Sequence, residues 1–340
     1  MTTDFNNKFK KLYKEKCSNF SYQPNKLPHA RRIVAIGDVH GDINLVYKAL
    51  KLAKVINSKY NWTSDSRYSD TIIVQLGDQV DSCRPSPTNL CSDKNYLKND
   101  TPNDIKILKY FTILHNQAQK YGGAVYSILG NHELMNVDGN TAYVSYKNLN
   151  DDSFDQETPF KNPVLARKYA FSPGNKIANF LACTRKTALI IGNNLFVHAG
   201  IVPAIANKYN VDDINSILGL YLMNELEDTH KYYDILGDPT KSPLWNRLYN
   251  KKLTHNECNK VKLPLTKFYK IDNMYVGHNP QLYEGINSIC DNSIWRTDTG
   301  NSSAFEIFHQ KNTKSRIQAL EILTDLDTYQ QKFTVLEGKR

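Results

Sequence analysis

Five times along this chain a short apolar run stops at a glycine with an aspartate, asparagine or histidine beside it, and that recurrence limits what the chain can fold into. Ile33 to Ile36 runs into Gly37-Asp38-Val39-His40-Gly41-Asp42, and Thr71 to Leu76 into Gly77-Asp78-Gln79-Val80-Asp81. Ala124 to Leu129 runs into Gly130-Asn131-His132-Glu133, Leu195 to Val197 into His198-Ala199-Gly200, and Met274 to Val276 into Gly277-His278-Asn279. Continuous β-branched runs of this length read as strands buried on both faces. Between the first three, apolar residues recur at helical spacing: Ile43, Val46, Ala49, Leu50 and Ala53, then Ile105, Leu108, Phe111, Ile113, Leu114 and Ala118. The pattern predicts an α/β fold built on a parallel βαβαβ unit. A parallel sheet gathers its carboxyl ends at one edge, where ligands collect, so side chains spread from Asp38 to His278 are expected to converge.

Singly, each polar residue has an ordinary reading. Asp42 can cap a helix, Asp78 and Asp81 can close turns, and His198 and His278 can be core histidines tied to backbone. Chance does not readily repeat the arrangement at successive strand ends. Carboxylate, imidazole and amide oxygen without cysteine form a donor set suited to manganese, iron or zinc. Such a set exceeds the needs of one ion that keeps an open position. Two ions about 3.5–4 Å apart, bridged by a carboxylate, would use them and clamp both oxygens of an in-line displacement.

Charge and composition remove other classes. Of the 43 basic and 34 acidic residues, eight basic ones lie in residues 1–32 against only Asp4 and Glu15, so six of the nine net positive charges belong to an N-terminal arm. The body is close to neutral, which argues against a nucleic-acid face on it. Within the arm Phe5, Phe9, Leu12 and Tyr13 share one helical face, which predicts a helix docked on the body. No run approaches the ~18 apolar residues of a membrane span, and the N-terminus lacks the apolar core of a secretory signal. The expectation is a cytoplasmic protein. Cys17, Cys83, Cys91, Cys183, Cys258 and Cys290 include no Cys-x-x-Cys pair, and most are expected to be reduced thiols. Residues 83–103 form a proline-punctuated polar stretch too long for an ordinary connection. The acidic tract Asp151, Asp152, Asp155 and Glu157 reads as a solvated loop, and 293–297, 304–309 and 315–323 as strands. The expected divisions are a basic helical arm (1–30), a catalytic domain (31–325) and a polar C-terminal tail (326–340).

In order, the motifs GDVHG, GDQVD, GNHE, VHAG and GHN resemble those of the calcineurin-like metallophosphoesterases, in their phosphoprotein phosphatase branch. GNHELMNVDGNTAYV (130–144), AFSPGNKIANFLA (170–182), LFVHAGIVP (195–203), SPLWNR (242–247) and YVGHNPQLYEGINSICDNSIWRTDTGNS (275–302) resemble the Shewanella-like protein phosphatases more closely. The resemblance spans roughly residues 31–323. It implies a central β-sandwich flanked by helices, two divalent metal ions, and hydrolysis of phosphate monoesters on proteins by direct attack of a metal-bridging hydroxide. Carried over, Asp38 and His40 would bind the first metal, Asp78 would bridge, and Asn131, His198 and His278 would bind the second. His132 would be the general acid, oriented by Asp81. Arg247 and Asn131 would contact the substrate phosphate, Arg247 as a bidentate clamp. The substrate would be a phosphorylated protein or peptide; a nucleotide or dinucleoside-polyphosphate hydrolase on the same scaffold is the rival enzyme, and a phosphate-binding pseudoenzyme the rival of another class.

One departure stands out. Most members of the family it resembles place an arginine directly after the second aspartate of the GDQVD motif, whereas this chain reads Asp81-Ser82-Cys83-Arg84-Pro85. Either Arg84 reaches back to the phosphate or Arg247 works with less help. Cys83 and Cys91 flank that stretch and have two readings: unrelated reduced thiols, or a loop-closing disulfide that fixes Arg84 and makes phosphate affinity depend on redox state.

Overall fold

The apolar runs separate into two sheets rather than one. The computed structural model describes residues 3–154, 158–308 and 316–339. Its strands are β1 (Lys26–Leu27), β2 (Arg32–Ile36), β3 (Ile72–Gln75), β4 (Ala124–Ser127), β5 (Ala188–Ile191), β6 (Asn194–Val197), β7 (Asn273–Val276), β8 (Asn287–Ile289), β9 (Ile294–Arg296), β10 (Arg316–Thr324) and β11 (Gln331–Lys339). One sheet has the order β11-β10-β2-β3-β4 and the other β1-β5-β6-β7-β9-β8. β2, β3 and β4 are parallel, in register Ile33 with Ile72 and Ile73 with Val125, as the βαβαβ pattern requires. In the second sheet β6, β7 and β9 are also parallel. The pair of sheets is the β-sandwich that the resemblance implies, and each sheet contributes parallel strands to it.

What joins them is an apolar layer. Ile33, Ala35, Val74, Leu76 and Tyr126 from one sheet meet Leu189, Ile191, Phe196, Tyr275 and Trp295 from the other. The opposite face of each strand is also covered. Val34, Ile36, Ile73 and Val125 pack on the helices Ile43–Leu52 and Asp104–Ala118, whereas Ile190, Leu195, Val197 and Met274 pack on Val211–Leu222 and its neighbours. Burial on both faces is why these strands read as unbroken apolar runs instead of alternating ones.

The arm forms the helix Thr3–Lys16, with Phe9 and Tyr13 buried and Phe5 and Leu12 packed alongside. Phe9 seats on Gly219, where a Cβ would overlap its ring, and Tyr13 Oη donates to the Cys183 carbonyl at 2.8 Å. The arm's last residues make β1, which pairs in parallel with β5.

Several expectations are corrected. All six cysteines pair, as Cys17–Cys183, Cys83–Cys91 and Cys258–Cys290, with Cα separations of 5.5, 5.8 and 5.3 Å. Two of these pairs join residues 166 and 32 positions apart, which no local spacing reveals. The polar tail is largely strand: β11 pairs along its whole length with β10, and Phe333 and Val335 pack against the inter-sheet layer. Its charged residues belong to the solvated face of an edge strand. The run at 304–309 is a 3-10 turn, Ser303–Phe308, rather than a strand; residues 309 and 315, with Asp155, Glu157 and Arg340, lie outside the described residues. Among the described residues no helix is long and apolar enough to cross a membrane.

Candidate active site

Each sheet delivers its parallel strands to the same edge. There β2 places Asp38 and His40, β3 places Asp78 and Asp81, β4 places Asn131 and His132, β6 places His198 and β7 places His278. All eight are at least nine-tenths buried. His40, Asp78, Asp81 and His278 have φ of 40, 51, 73 and 65°, left-handed values that cost a non-glycine residue about 1–3 kcal/mol each. Such strain survives only where the surroundings impose it, and it gathers where side chains must be aimed.

Glu133 does much of the imposing. Its buried carboxylate accepts four backbone amides: Gly130 at 2.7 Å, Asp78 at 3.0 Å, Gln79 at 2.6 Å and Val80 at 3.3 Å. The ends of β3 and β4 are thereby bolted together, and Gly130 comes so close that a Cβ there would overlap the Asp78 carboxylate.

Asp78 is the common member of two groups whose ligand atoms lie within 4.8 Å of one another: His40, Asp78 and His132, and Asp78, His198 and His278. Its Oδ1 lies 3.3 Å from His198 Nε2 and its Oδ2 lies 3.7 Å from His40 Nε2. Asp38 Oδ2 is 3.9 Å from His40 Nε2, and Asn131 Oδ1 is 3.0 Å from His198 Nε2.

The second ring nitrogens divide the four histidines. His40 Nδ1 faces the Val80 carbonyl at 3.2 Å, His198 Nδ1 the Leu76 carbonyl at 2.7 Å, and His278 Nε2 the Trp245 carbonyl at 3.1 Å. A carbonyl only accepts, so each of these nitrogens carries hydrogen, and the opposite nitrogen is the one available to a cation. His132 differs: its Nδ1 meets the Asp81 carboxylate at 2.7 Å, and its Nε2 points inward, 3.9 Å from Asp78 Oδ2.

The donor set fits a metal ion. With His198 neutral and its Nδ1 hydrogen on the Leu76 carbonyl, Asn131 Oδ1, Asp78 Oδ1 and His198 Nε2 would all offer lone pairs to one cation. Burial alone would lower His198, yet Asp78 beside it raises its pKa. Burial pushes Asp78 up, but His198 and His132 outweigh it and hold Asp78 well below the usual range. Burial, with Asp298 and Asp78 nearby, pushes Asp38 well above its ordinary value, the mark of carboxylates crowded without enough positive charge. Burial also keeps His40 and His278 low, which leaves neutral rings for coordination.

Both arginines reach the same cavity, about 510 Å³ in volume. Arg84 does reach back: its guanidinium donates to His40 Nε2 at 2.8 Å, a lone pair that a bound cation would take over from it, to the Cys83 carbonyl at 2.8 Å and to the Asp81 carbonyl at 3.2 Å, and it lies over the Phe305 ring at 4.4 Å. Arg247 is more exposed and donates to the His278 carbonyl at 3.1 Å. Three groups of this edge were missed in the sequence. Asp298, in Thr297-Asp298-Thr299-Gly300 just past β9, follows the same strand-then-glycine pattern that marked the others, and the pattern would have found it. It is 1% exposed, lines the cavity, and its Oδ2 has no hydrogen-bond partner among the described residues. Tyr143 and Phe305 also line the cavity, and nothing in their local sequence marks them.

The family model of the calcineurin-like phosphoesterases matches residues 31–282. The chain belongs to that family. Among curated relatives of this phosphoesterase, an uncharacterized protein of Acanthamoeba polyphaga mimivirus is 39% identical over 64% of this chain and 95% of its own length. Shewanella-like protein phosphatase 2 of Arabidopsis thaliana is 26% identical over 80% of this chain and 71% of its own. The corresponding figures for Shewanella-like protein phosphatase 1 of Plasmodium berghei are 28%, 86% and 74%. Among solved structures, the cold-active protein-tyrosine phosphatase of a psychrophilic Shewanella species shares the phosphoesterase fold, with a TM-score of 0.65, 20% identity, and coverage of 93% of this chain and 83% of that one.

The Cys83–Cys91 disulfide closes the loop whose first carbonyl holds the Arg84 guanidinium. In the Cys83→Ser/Cys91→Ser variant Arg84 is expected to lose its fixed position, weakening inhibition by inorganic phosphate several-fold, about 1 kcal/mol for a loosened charge-assisted contact. Equal inhibition constants for this variant and the oxidised wild type would reduce the loop to an insertion.

Proposed function

We propose that this phosphoesterase is a metal-dependent phosphoprotein phosphatase that hydrolyses phosphate monoesters without a phosphoenzyme intermediate. The observation that carries this reading is the division among the histidines: three backed by carbonyls, one backed by a carboxylate. Asp38, His40 and Asp78 would hold one divalent cation, and Asp78, Asn131, His198 and His278 a second, with manganese the leading candidate and iron or zinc possible in its place. Ions held there supply a water activated at neutral pH and neutralise charge on the transferring phosphoryl group. The chain's own residues do the rest. Arg84 and Arg247 bind the peripheral phosphoryl oxygens, Asn131 contributes at the same oxygens, and His132 Nε2 delivers a proton to the departing ester oxygen while Asp81 holds the ring in line.

The relatives named as protein phosphatases support a phosphorylated protein or peptide as substrate. Tyr143, Trp245, Phe305 and Phe308 line the cavity beside the phosphate-binding arginines, so a leaving group with an aromatic face gains burial that a serine ester does not. Phosphotyrosine is therefore the substrate this reading puts first. The cytoplasmic location expected from the sequence remains part of the proposal. A reducing cytosol would open the three cysteine pairs, so assays in both redox states bear on it.

The deciding experiment is a rate profile, after manganese reconstitution, across phosphotyrosine, phosphoserine and phosphothreonine peptides and a set of nucleotides. Highest kcat/KM on phosphotyrosine peptides is expected. Preference for nucleotides would overturn the protein-phosphatase reading, and binding of para-nitrophenyl phosphate without turnover would overturn the enzyme reading altogether.

A further inference from the structure

Behind the His132–Asp81 pair lies a buried polar chain whose members Asn136 and Arg167 do not line the cavity. Asp81 uses Oδ2 for His132 Nδ1 at 2.7 Å; its other oxygen, Oδ1, accepts from Asn136 Nδ2 at 2.8 Å. The Asn136 carboxamide is pinned at both ends, because its Nδ2 also donates to the His132 carbonyl at 2.9 Å and its Oδ1 accepts from Arg167 Nε at 3.0 Å. It cannot turn over without losing bonds on each side. Arg167, from the helix Pro163–Phe171, is fully buried. Its Nη2 is 2.8 Å from Asp104 Oδ2 and 3.9 Å from Asp81 Oδ1, and its Nη1 donates to the Asn148 carbonyl at 3.2 Å. The rings of Phe171 and Phe154 cover the guanidinium at 4.8 and 5.8 Å.

A buried guanidinium is expensive unless every donor has work. Here one charge serves two carboxylates and one amide, and the direction of the chain is toward His132. Without it, Asp81 would be free to rotate about its terminal torsion and to take His132 with it.

We propose that Asn136 and Arg167 are positioning residues for proton delivery: they clamp the far oxygen of Asp81 so that the near oxygen holds His132 in line with the departing ester oxygen. This rests on the reading of His132 as general acid. A misplaced acid harms only those reactions that need protonation of the leaving group. An ester of phenol needs it, whereas an ester of 2,4-dinitrophenol departs as a stable anion and does not.

The test is kcat and KM for phenyl phosphate and 2,4-dinitrophenyl phosphate with the manganese-loaded full chain. Asn136→Ala is expected to lower kcat for phenyl phosphate by about 10–100-fold, part of the ~10²–10⁴ that a general acid supplies, with KM little changed. For the dinitrophenyl ester the loss is expected to stay within about 3-fold. Arg167→Lys, which keeps the charge opposite Asp104 but removes Nε, is expected to show the same split and decides the matter if Asn136→Ala does not fold. Equal losses on both esters, or no loss on phenyl phosphate, would overturn the proposal. His132→Ala serves as the reference: absence of the split there would strike at His132 as the acid, and its presence there but not in the other two would strike at this inference alone.

Discussion

Asp78→Asn is expected to strip metal and activity in one step while leaving the fold intact. The carboxylate lies between two ligand groups, with His198 Nε2 at 3.3 Å from one oxygen and His40 Nε2 at 3.7 Å from the other. Asparagine has the same shape, and its oxygen can still accept the His132 backbone amide that Asp78 Oδ1 accepts at 3.0 Å. What disappears is one negative charge and one coordinating oxygen at the point both groups share. Loss of a mere outer-shell partner weakens metal binding by about 10–100-fold, and removal of a shared ligand should exceed that. Metal content after reconstitution with manganese, measured beside the unfolding transition, checks it. Wild-type stoichiometry would take Asp78 out of the shared position.

His132→Ala is expected to do the opposite, keeping metal and losing turnover by the ~10²–10⁴-fold of a missing general acid. The geometry leaves a real competitor, since His132 also stands within ligand range of His40 and Asp78. Its second nitrogen separates the two roles. The other three histidines lean on carbonyls, whereas His132 Nδ1 leans on the Asp81 carboxylate at 2.7 Å. Two metals retained in the variant with kcat reduced would make His132 the acid; one metal lost would make it a ligand.

The strands and the groups they carry were legible because both signals are local. A strand covered on both faces must be apolar at every position, so Ile33–Ile36 and Ala188–Ile191 stand out in any reading. A group aimed from a strand end needs a turn immediately after the strand, which leaves its glycine within a residue or two. Asp38, His40, Asp78, Asn131 and His278 all carry that mark, and so does Asp298, which was overlooked. Polar segments misled for the converse reason. β11 pairs with β10 along its whole length, and an edge strand with a solvated face needs no unbroken apolar pattern.

Sequence by itself therefore determined the fold class, the family, and the residues at the strand ends, because each is written within a few positions of chain. Tertiary structure alone decided everything that depends on distance between segments. That β2, β3 and β4 belong to one sheet and β6, β7 and β9 to another, that Cys17 meets Cys183, that Arg84 turns back onto His40, and that Arg167 stands behind Asp81 are all facts of packing. A buried arginine and an exposed one look alike in a sequence. They differ in whether water or carboxylates surround the guanidinium, and only the assembled chain settles that.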